Sequence, residues 1–291
     1  MCTPRMPGAR SELQFGITKG KLRNRLEKAM TIRVGIGGWE FAPWRGEFYP
    51  AGLPHARELE YASRRLSSIE INGTFYRTQK PESFRKWAAE TPDDFVFSLK
   101  APRYATHRTV LAEAGPSIER FLTSGVFELG PKLGPILWQF HPAKKFVPDD
   151  FAAFLDLLAQ RSAGRALQHV LEVRHESFLN SAFIELARKH AVAIALIDSG
   201  KHPPIADVTG DFIYARLQRT SPDVKTGYRR AMLDTWARRA RTWAEGAAPD
   251  DLATISEKPP PRKKRDVFIY MIAGAKVRAP AAAMALIDQL K

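Results

Sequence analysis

From Thr31 onward one pattern repeats along the chain: a short apolar run, a break of Gly, Pro or polar residues, then a stretch with helical spacing. The runs are IRVGIG (32–37), SSIEIN (67–72), FVFSLK (95–100), PILWQF (135–140), HVLEVR (169–174), AIALID (193–198), FIYARL (212–217) and VFIYMI (267–272). Each is apolar over most of its length rather than alternating, as strands buried on both faces of a parallel sheet are. The segments between them carry apolar residues on one helical face: Leu59, Ala62 and Leu66; Phe84, Trp87 and Ala88. Pro116 opens a third with Ile118, Phe121, Leu122 and Leu129, and Pro148 a fourth with Phe151, Phe154, Leu155 and Leu158. Asn180 or Ser181 caps the next, with Phe183, Ile184 and Ala187. Leu233, Trp236, Ala240 and Trp243 mark a sixth helix, and Met284, Ile287 and Leu290 after Pro280 a seventh. Only the sixth link, Gly200–Asp211, has no helical pattern.

Eight parallel strands alternating with helices predict a TIM-like (β/α)8 barrel, at its usual size of roughly 250 residues. An open dinucleotide-binding sheet would want G-x-G-x-x-G after the first strand. Gly35 and Gly37 are followed instead by Glu40 and by Pro43-Trp44, which is no helix start. The division is therefore a basic extension over residues 1–30, read as disordered, and a barrel over 31–291.

The net charge of +14 resembles a nucleic-acid signature until it is divided along the chain. Residues 1–30 hold +5 of it and EKPPPRKKRD (257–266) holds +3. More than half of the excess thus lies in a tail and one Pro-rich loop, where charge is ordinarily just solvated. That loop feeds the eighth strand, so it belongs at the bottom of the barrel, and the Arg-rich stretch around Trp236 reads as an exposed helix face. Cys2 is the only cysteine, which removes internal disulfides and thiolate metal clusters. With no long apolar span and no apolar core in the first thirty residues, the expectation is a cytoplasmic protein without membrane contact.

Buried parallel strands should carry few ionisable groups, yet nearly every strand here ends in one. Glu70 and Asn72 share a face of the second strand, Lys100 ends the third, and Gln139 with His141 ends the fourth. Glu172 and Arg174 share a face of the fifth, with His175 just beyond; Asp198 ends the sixth, and Arg216 with Gln218 the seventh. The N-terminal halves are mostly apolar. Barrel active sites lie at the C-terminal face, so this asymmetry predicts a ligand pocket there, although a structural ion network would gather the same charges. Trp39, Trp44, Tyr49 and Tyr76 follow strands and are placed as its apolar walls.

The run GIGGWEFAPWRGEFYP (35–50), followed in order by SIEINGTFY (68–76), FVFSLKAPRYATH (95–107), KLGPILWQFHP (132–142) and LEVRHESF (171–178), is similar to blocks of the YecE-like family, the domain of unknown function seventy-two. The resemblance spans roughly residues 31–291. It implies a TIM-like barrel and brings no assigned reaction. By position it implies pocket residues Trp39, Glu70, Asn72, Thr74, Tyr76, Lys100, His107, Gln139, Glu172, Arg174, His175, Asp198 and Arg216. The chain departs from the family with RLQRT (216–220), where many members read Arg-Leu-His-Gly, and with MIAGAK (271–276), where they often show Phe-Asn-Asn.

Glu172 and Asp198 end neighbouring strands, which predicts adjacent carboxylates able to act as acid and base, with Glu70 and His175 as further catalytic candidates. A divalent metal held by Glu172, His175, Asp198 and His141 is an alternative use of the same groups, without a recognised ligand spacing. Lys100, Arg174 and Arg216 suit an anionic ligand, because guanidinium groups grip phosphate or carboxylate through paired hydrogen bonds. Lys100 is expected to be charged and paired with the nearby carboxylates, which argues against an imine-forming lysine. No serine or cysteine triad is apparent. The leading expectation is an enzyme acting on a phosphate- or carboxylate-bearing substrate by acid/base or metal-assisted hydrolysis, a nucleic-acid phosphodiester bond being one candidate target. The alternatives are a non-catalytic nucleic-acid- or anion-binding protein, and a sugar or sugar-phosphate isomerase or lyase.

Overall fold

The computed structural model describes residues 31–158 and 161–291; the expected 1–30 extension lies outside the described residues. Eight parallel strands form the centre: β1 (Ile32–Gly37), β2 (Ser68–Ile71), β3 (Val96–Lys100), β4 (Leu133–Gln139), β5 (His169–Glu172), β6 (Ala193–Ile194 and Leu196–Asp198), β7 (Phe212–Leu217) and β8 (Asp266–Met271). Each predicted run coincides with one of them. Successive strands pair in parallel from β1 to β5, with one register shift between β3 and β4 at Phe97/Leu99, and β7 pairs with β8, which returns to β1. The ring closes through β6, whose first half pairs with β5 and whose second half pairs with β7, the switch falling at Ala195.

Among the described residues, seven helices longer than one turn pack around the strands: α1 (Glu58–Ser63), α2 (Pro81–Glu90), α3 (Gly115–Leu122), α4 (Pro148–Leu157), α5 (Ser181–Lys189), α6 (Arg230–Ala244) and α7 (Ala279–Leu290). Pro sits in the first turn of α2, α3, α4 and α7, where its missing N–H costs nothing. Asn180 caps α5 by accepting from the Phe183 N–H at 2.9 Å. The sixth link has no helix, as its composition indicated. Leu129, read as part of the third helix, falls outside α3. The helix stops before Gly125, which adopts φ 109°, and Leu129 lies in a separate 3-10 segment. Among the described residues no helix is long and apolar enough to cross a membrane.

Two apolar clusters separate the inside of the barrel from its outer layer. Leu137, Val170, Ala193, Ala195, Phe212, Tyr214, Phe268 and Tyr270 come from five strands and meet one another, so they fill the lumen. Their neighbours Trp138, Leu171, Ile194, Leu196, Ile213 and Ile269 pack outward in the cluster shared with the helices. Period-two alternation then fixes which charged residues point inward. β1 offers only glycine at the upper inward positions. At Gly35 an added Cβ would collide with the Ser68 carbonyl oxygen at 1.9 Å, so β1 and β2 approach this closely only because a side chain is absent. The Pro-rich loop enters β8 from the bottom, and Arg265 within it is buried, donating to the Gly246, Lys263 and Pro261 carbonyls.

Candidate functional site

Two residues above the apolar lumen, every strand from β2 to β5 and β7 changes character. Glu70 follows Ser68, Lys100 follows Ser98, Gln139 follows Leu137, Glu172 follows Val170 and Arg216 follows Tyr214, all with inward parity and all buried. Arg216, 1% exposed, sits at the centre. Its Nε and Nη2 donate to the two oxygens of Glu70 at 3.0 and 2.9 Å, and its Nη1 donates to Glu172 Oε2. The Tyr214 hydroxyl also donates to Glu70, at 2.7 Å. Glu172 Oε1 accepts from Gln139 Nε2 at 2.8 Å and from Arg174 Nε at 2.8 Å. Every carboxylate oxygen in this layer is therefore occupied, as burial demands.

The electrostatics follow from that wiring. Burial alone would raise the Glu172 carboxyl, but Arg216 and Arg174 outweigh it and hold the group below the usual carboxylate range. Burial and the facing Glu70 push the Tyr214 phenol well up, so it stays a neutral donor. Lys100 is the exception. It is 6% exposed, its Nζ lies 3.8 Å above the Phe75 ring, and it forms no hydrogen bond or ion pair among the described residues. Burial, and next the Arg216 charge, lower its ammonium to about 8. The expectation that Lys100 would be paired is overturned, because Arg216 takes the carboxylates it would have used.

Above this layer opens a cavity of about 540 Å³, lined among others by Trp39, Asn72, Tyr76, Lys100, Gln139, Arg174 and Arg216. Its volume is that of a small-molecule site. Gly37 helps keep it open, since a Cβ there would come within 2.9 Å of Asn72 Nδ2 and 3.1 Å of Ile272 Cδ1. Arg77, Gln79, Trp87, Gln218 and Lys276 line the same space. Of these only Gln218 was singled out in the sequence. Arg77 and Gln79 follow β2 and Lys276 follows β8, so their position in strand-to-helix loops was the available signal.

Several expected pocket residues do other things. Trp44 and Tyr49 are buried core rather than walls; Trp44 Nε1 donates to the Lys276 carbonyl and the Tyr49 hydroxyl to the Trp39 carbonyl. Thr74 is buried and donates to the Ile71 and Lys100 carbonyls, tying the end of β2 to the end of β3. His175 caps a short 3-10 turn by accepting from the Ser177 N–H. His107 and His141 lie ring against ring, 5.3 Å apart, in a neighbouring cleft of about 440 Å³ with Arg108, Lys144 and Lys145.

Asp198 does not join Glu172. It shares outward parity with Ile194 and Leu196, and its partner is Arg219 at 3.5 Å. Burial raises its carboxyl despite that cation. The proposed acid/base pair is thereby separated by the wall of the barrel itself. Glu172, His175, Asp198 and His141 do not assemble either: among the described residues no three His, Cys, Asp or Glu side chains gather in a way that could hold a metal ion.

Closed barrel topology and a charged mouth at the C-terminal strand ends define a TIM-barrel protein with a candidate ligand site in the usual place. The family model described as "Protein of unknown function DUF72" matches residues 33–291, and the chain belongs to that family. Among curated relatives, the UPF0759 protein YecE of Escherichia coli K12 is 26% identical over 250 residues, covering 75% of this chain and 84% of YecE. The UPF0759 protein YunF of Bacillus subtilis is 28% identical over 116 residues, 38% of this chain and 40% of YunF. Among solved structures, the DUF72 family protein TM1631 of Thermotoga maritima superposes with a TM-score of 0.68 at 21% identity, covering 89% of this chain and 99% of that one. The DUF72 family protein EF0366 of Enterococcus faecalis gives 0.60 at 15% identity, covering 90% and 99%. These likenesses agree with the barrel and speak to the fold alone.

Proposed function

We propose that this barrel is an enzyme whose mouth takes a small substrate bearing phosphate or carboxylate. One observation carries the reading: buried Lys100 and Arg216, with the half-buried Arg174 at the cavity wall, make three cations against two buried carboxylates, Glu70 and Glu172. The surplus charge faces the cavity. Arg77 and Lys276 add to it at the rim, against Glu40 alone. A buried ion network of this kind is a poor stability device, because desolvation consumes most of its Coulomb energy. Its retention at the mouth of a barrel supports a role in holding a ligand. Arg174 spends Nε and Nη2 on Glu172, which leaves Nη1 for an anion in the cavity, beside the wall formed by Trp39.

Hydrolysis by a Glu172/Asp198 pair is not retained, since the two carboxylates point to opposite sides of the strands. A second reading, a nucleic-acid phosphodiester as ligand or substrate, draws on the basic cleft of His107, Arg108, His141, Lys144 and Lys145 beside the mouth. Titration calorimetry with inorganic phosphate tests the first reading. Binding is expected to weaken about tenfold in Arg174→Met, the loss of one charge-assisted hydrogen bond of roughly 1.4 kcal/mol. No phosphate binding, or binding indifferent to Arg174, would count against it. Filter binding of a short oligonucleotide at two salt concentrations tests the second, whose affinity should fall steeply with salt.

A further inference from the structure

We propose that Lys100 is a nucleophile that forms an imine with the aldehyde or ketone group of a small anionic substrate held in the barrel mouth. The inference rests on the anion-binding reading above and gives it a substrate class: carbonyl-bearing phosphates or carboxylates.

The argument begins with the oxygens around Lys100. Both oxygens of Glu70 and Oε2 of Glu172 are taken by Arg216, and Oε1 of Glu172 is taken by Arg174 and Gln139. A buried lysine beside two carboxylates would ordinarily pair with one and remain an ammonium ion. Here the arginines have displaced it. Its main chain is fixed, because Thr74 Oγ1 donates to the Lys100 carbonyl at 2.7 Å, and its amine rests on the Phe75 ring. The amine borders the cavity next to Arg174. A rigidly based, unpaired amine on the wall of an accessible pocket is what carbonyl capture needs; a lysine kept for charge alone would be paired or in solvent.

Lowered to about 8, this group offers at neutral pH a free-amine fraction roughly a few hundredfold above that of an ordinary lysine. The groups that set this are Arg216 on β7, Glu70 on β2, and Glu172 and Arg174 at the end of β5. The step balances without an oxidant or reductant. The nitrogen lone pair attacks the carbonyl carbon, and the opening π bond places its electrons on oxygen. That oxygen leaves as water, with one proton from the nitrogen and one from solvent, and an iminium ion remains. The positive charge stays above the Phe75 ring, whose face favours a cation. The iminium withdraws electrons from the neighbouring carbon, so a C–H or C–C bond beside the original carbonyl becomes the one that breaks. This is the chemistry of lyases and of some isomerases, and it needs neither of the locked carboxylates as nucleophile.

The test is reductive trapping of the full chain with sodium cyanoborohydride and either glyoxylate or glyceraldehyde 3-phosphate, followed by peptide mass mapping. The expected result at pH 7 is one dominant secondary amine, on Lys100, at least about tenfold above any surface lysine. Its yield should level off above pH 8, while surface lysines continue to gain past pH 10. Lys100→Arg should lose that adduct and keep the background. The two probes separate a carboxylate from a phosphate handle. Adducts spread over surface lysines, with Lys100 no more modified than they are, overturn the proposal. If that happens while phosphate still binds through Arg174, imine formation fails and the anion site stands. A Lys100 adduct without any Arg174-dependent phosphate binding sustains the imine and removes the anion reading.

Discussion

The lumen of the barrel holds two adjacent layers that are equally buried and chemically opposite. The lower is apolar, with Leu137, Val170, Ala193, Ala195, Phe212 and Phe268 around two tyrosines whose hydroxyls meet Ser98 and Ser68. The upper, one inward position further along the same strands, contains Glu70, Lys100, Gln139, Glu172 and Arg216. Water access does not distinguish them. The difference is that the lower layer is held by packing, while the upper tolerates burial only because nearly every charge has a partner. A barrel could be filled to the top with aliphatic side chains. This one is not, and that departure is what the proposed anion site rests on.

The largest effect separating the two layers should come from Arg216→Met. It leaves Glu70 and Glu172 buried without their shared cation and should cost about 3–5 kcal/mol by denaturant unfolding. A loss under about 1 kcal/mol would mean that water reaches the layer and would dissolve the contrast. Next in size is a pH effect. Folding lowers the Lys100 ammonium from 10.5 to about 8, so the unfolded chain binds more protons between those values, and this group's contribution to stability rises with pH across that window. Wild type should gain on the order of 2 kcal/mol relative to Lys100→Met between pH 7 and pH 10.5, read from paired unfolding curves. A constant difference between the two proteins would show that Lys100 is ordinarily charged and solvated.

Smaller effects test the boundary between the layers. Tyr214→Phe removes a donor from a buried carboxylate and should cost about 1.5–3 kcal/mol, whereas Tyr270→Phe removes a hydroxyl pair with Ser68 and should cost only about 0.5–1.5 kcal/mol. Equal costs would place both tyrosines in one layer. The smallest change belongs to Asp198→Asn, outside the lumen. Its half-exposed pair with Arg219 should be worth less than about 0.5 kcal/mol, and phosphate affinity should be unaltered. Loss of phosphate binding in that variant would return Asp198 to the site.

Much of this is legible in the sequence. The apolar runs located all eight strands, and the pairs Glu70/Asn72, Glu172/Arg174 and Arg216/Gln218 showed an inward polar row. Asp198 departs from expectation because the phase of AIALID, and not its position at the strand end, decides where the side chain points. Ala193 and Ala195 are the small residues that fit the lumen, which sends Ile194, Leu196 and Asp198 outward. Trp44 and Tyr49 were misplaced for a different reason. The loop after β1 folds back under itself, and nothing in an aromatic-rich loop says which rings end up beneath it. Lys100 could not have been read correctly at all. Its state depends on which of three cations wins two carboxylates, a competition decided by the reach of Arg216 across the lumen.

The switch at Ala195 carries a consequence for motion. The β3–β4 ladder shifts register between Phe97 and Leu99 but still joins two whole strands, whereas the ring is completed only by the two short halves of β6, each serving one neighbour. A hoop fastened at a single narrow clasp loosens there first. Amide protons of Ala193–Asp198 should therefore exchange with deuterium sooner than those of β1 or β8. Any opening of the wall wide enough to admit solvent beside Glu172 should begin at this clasp.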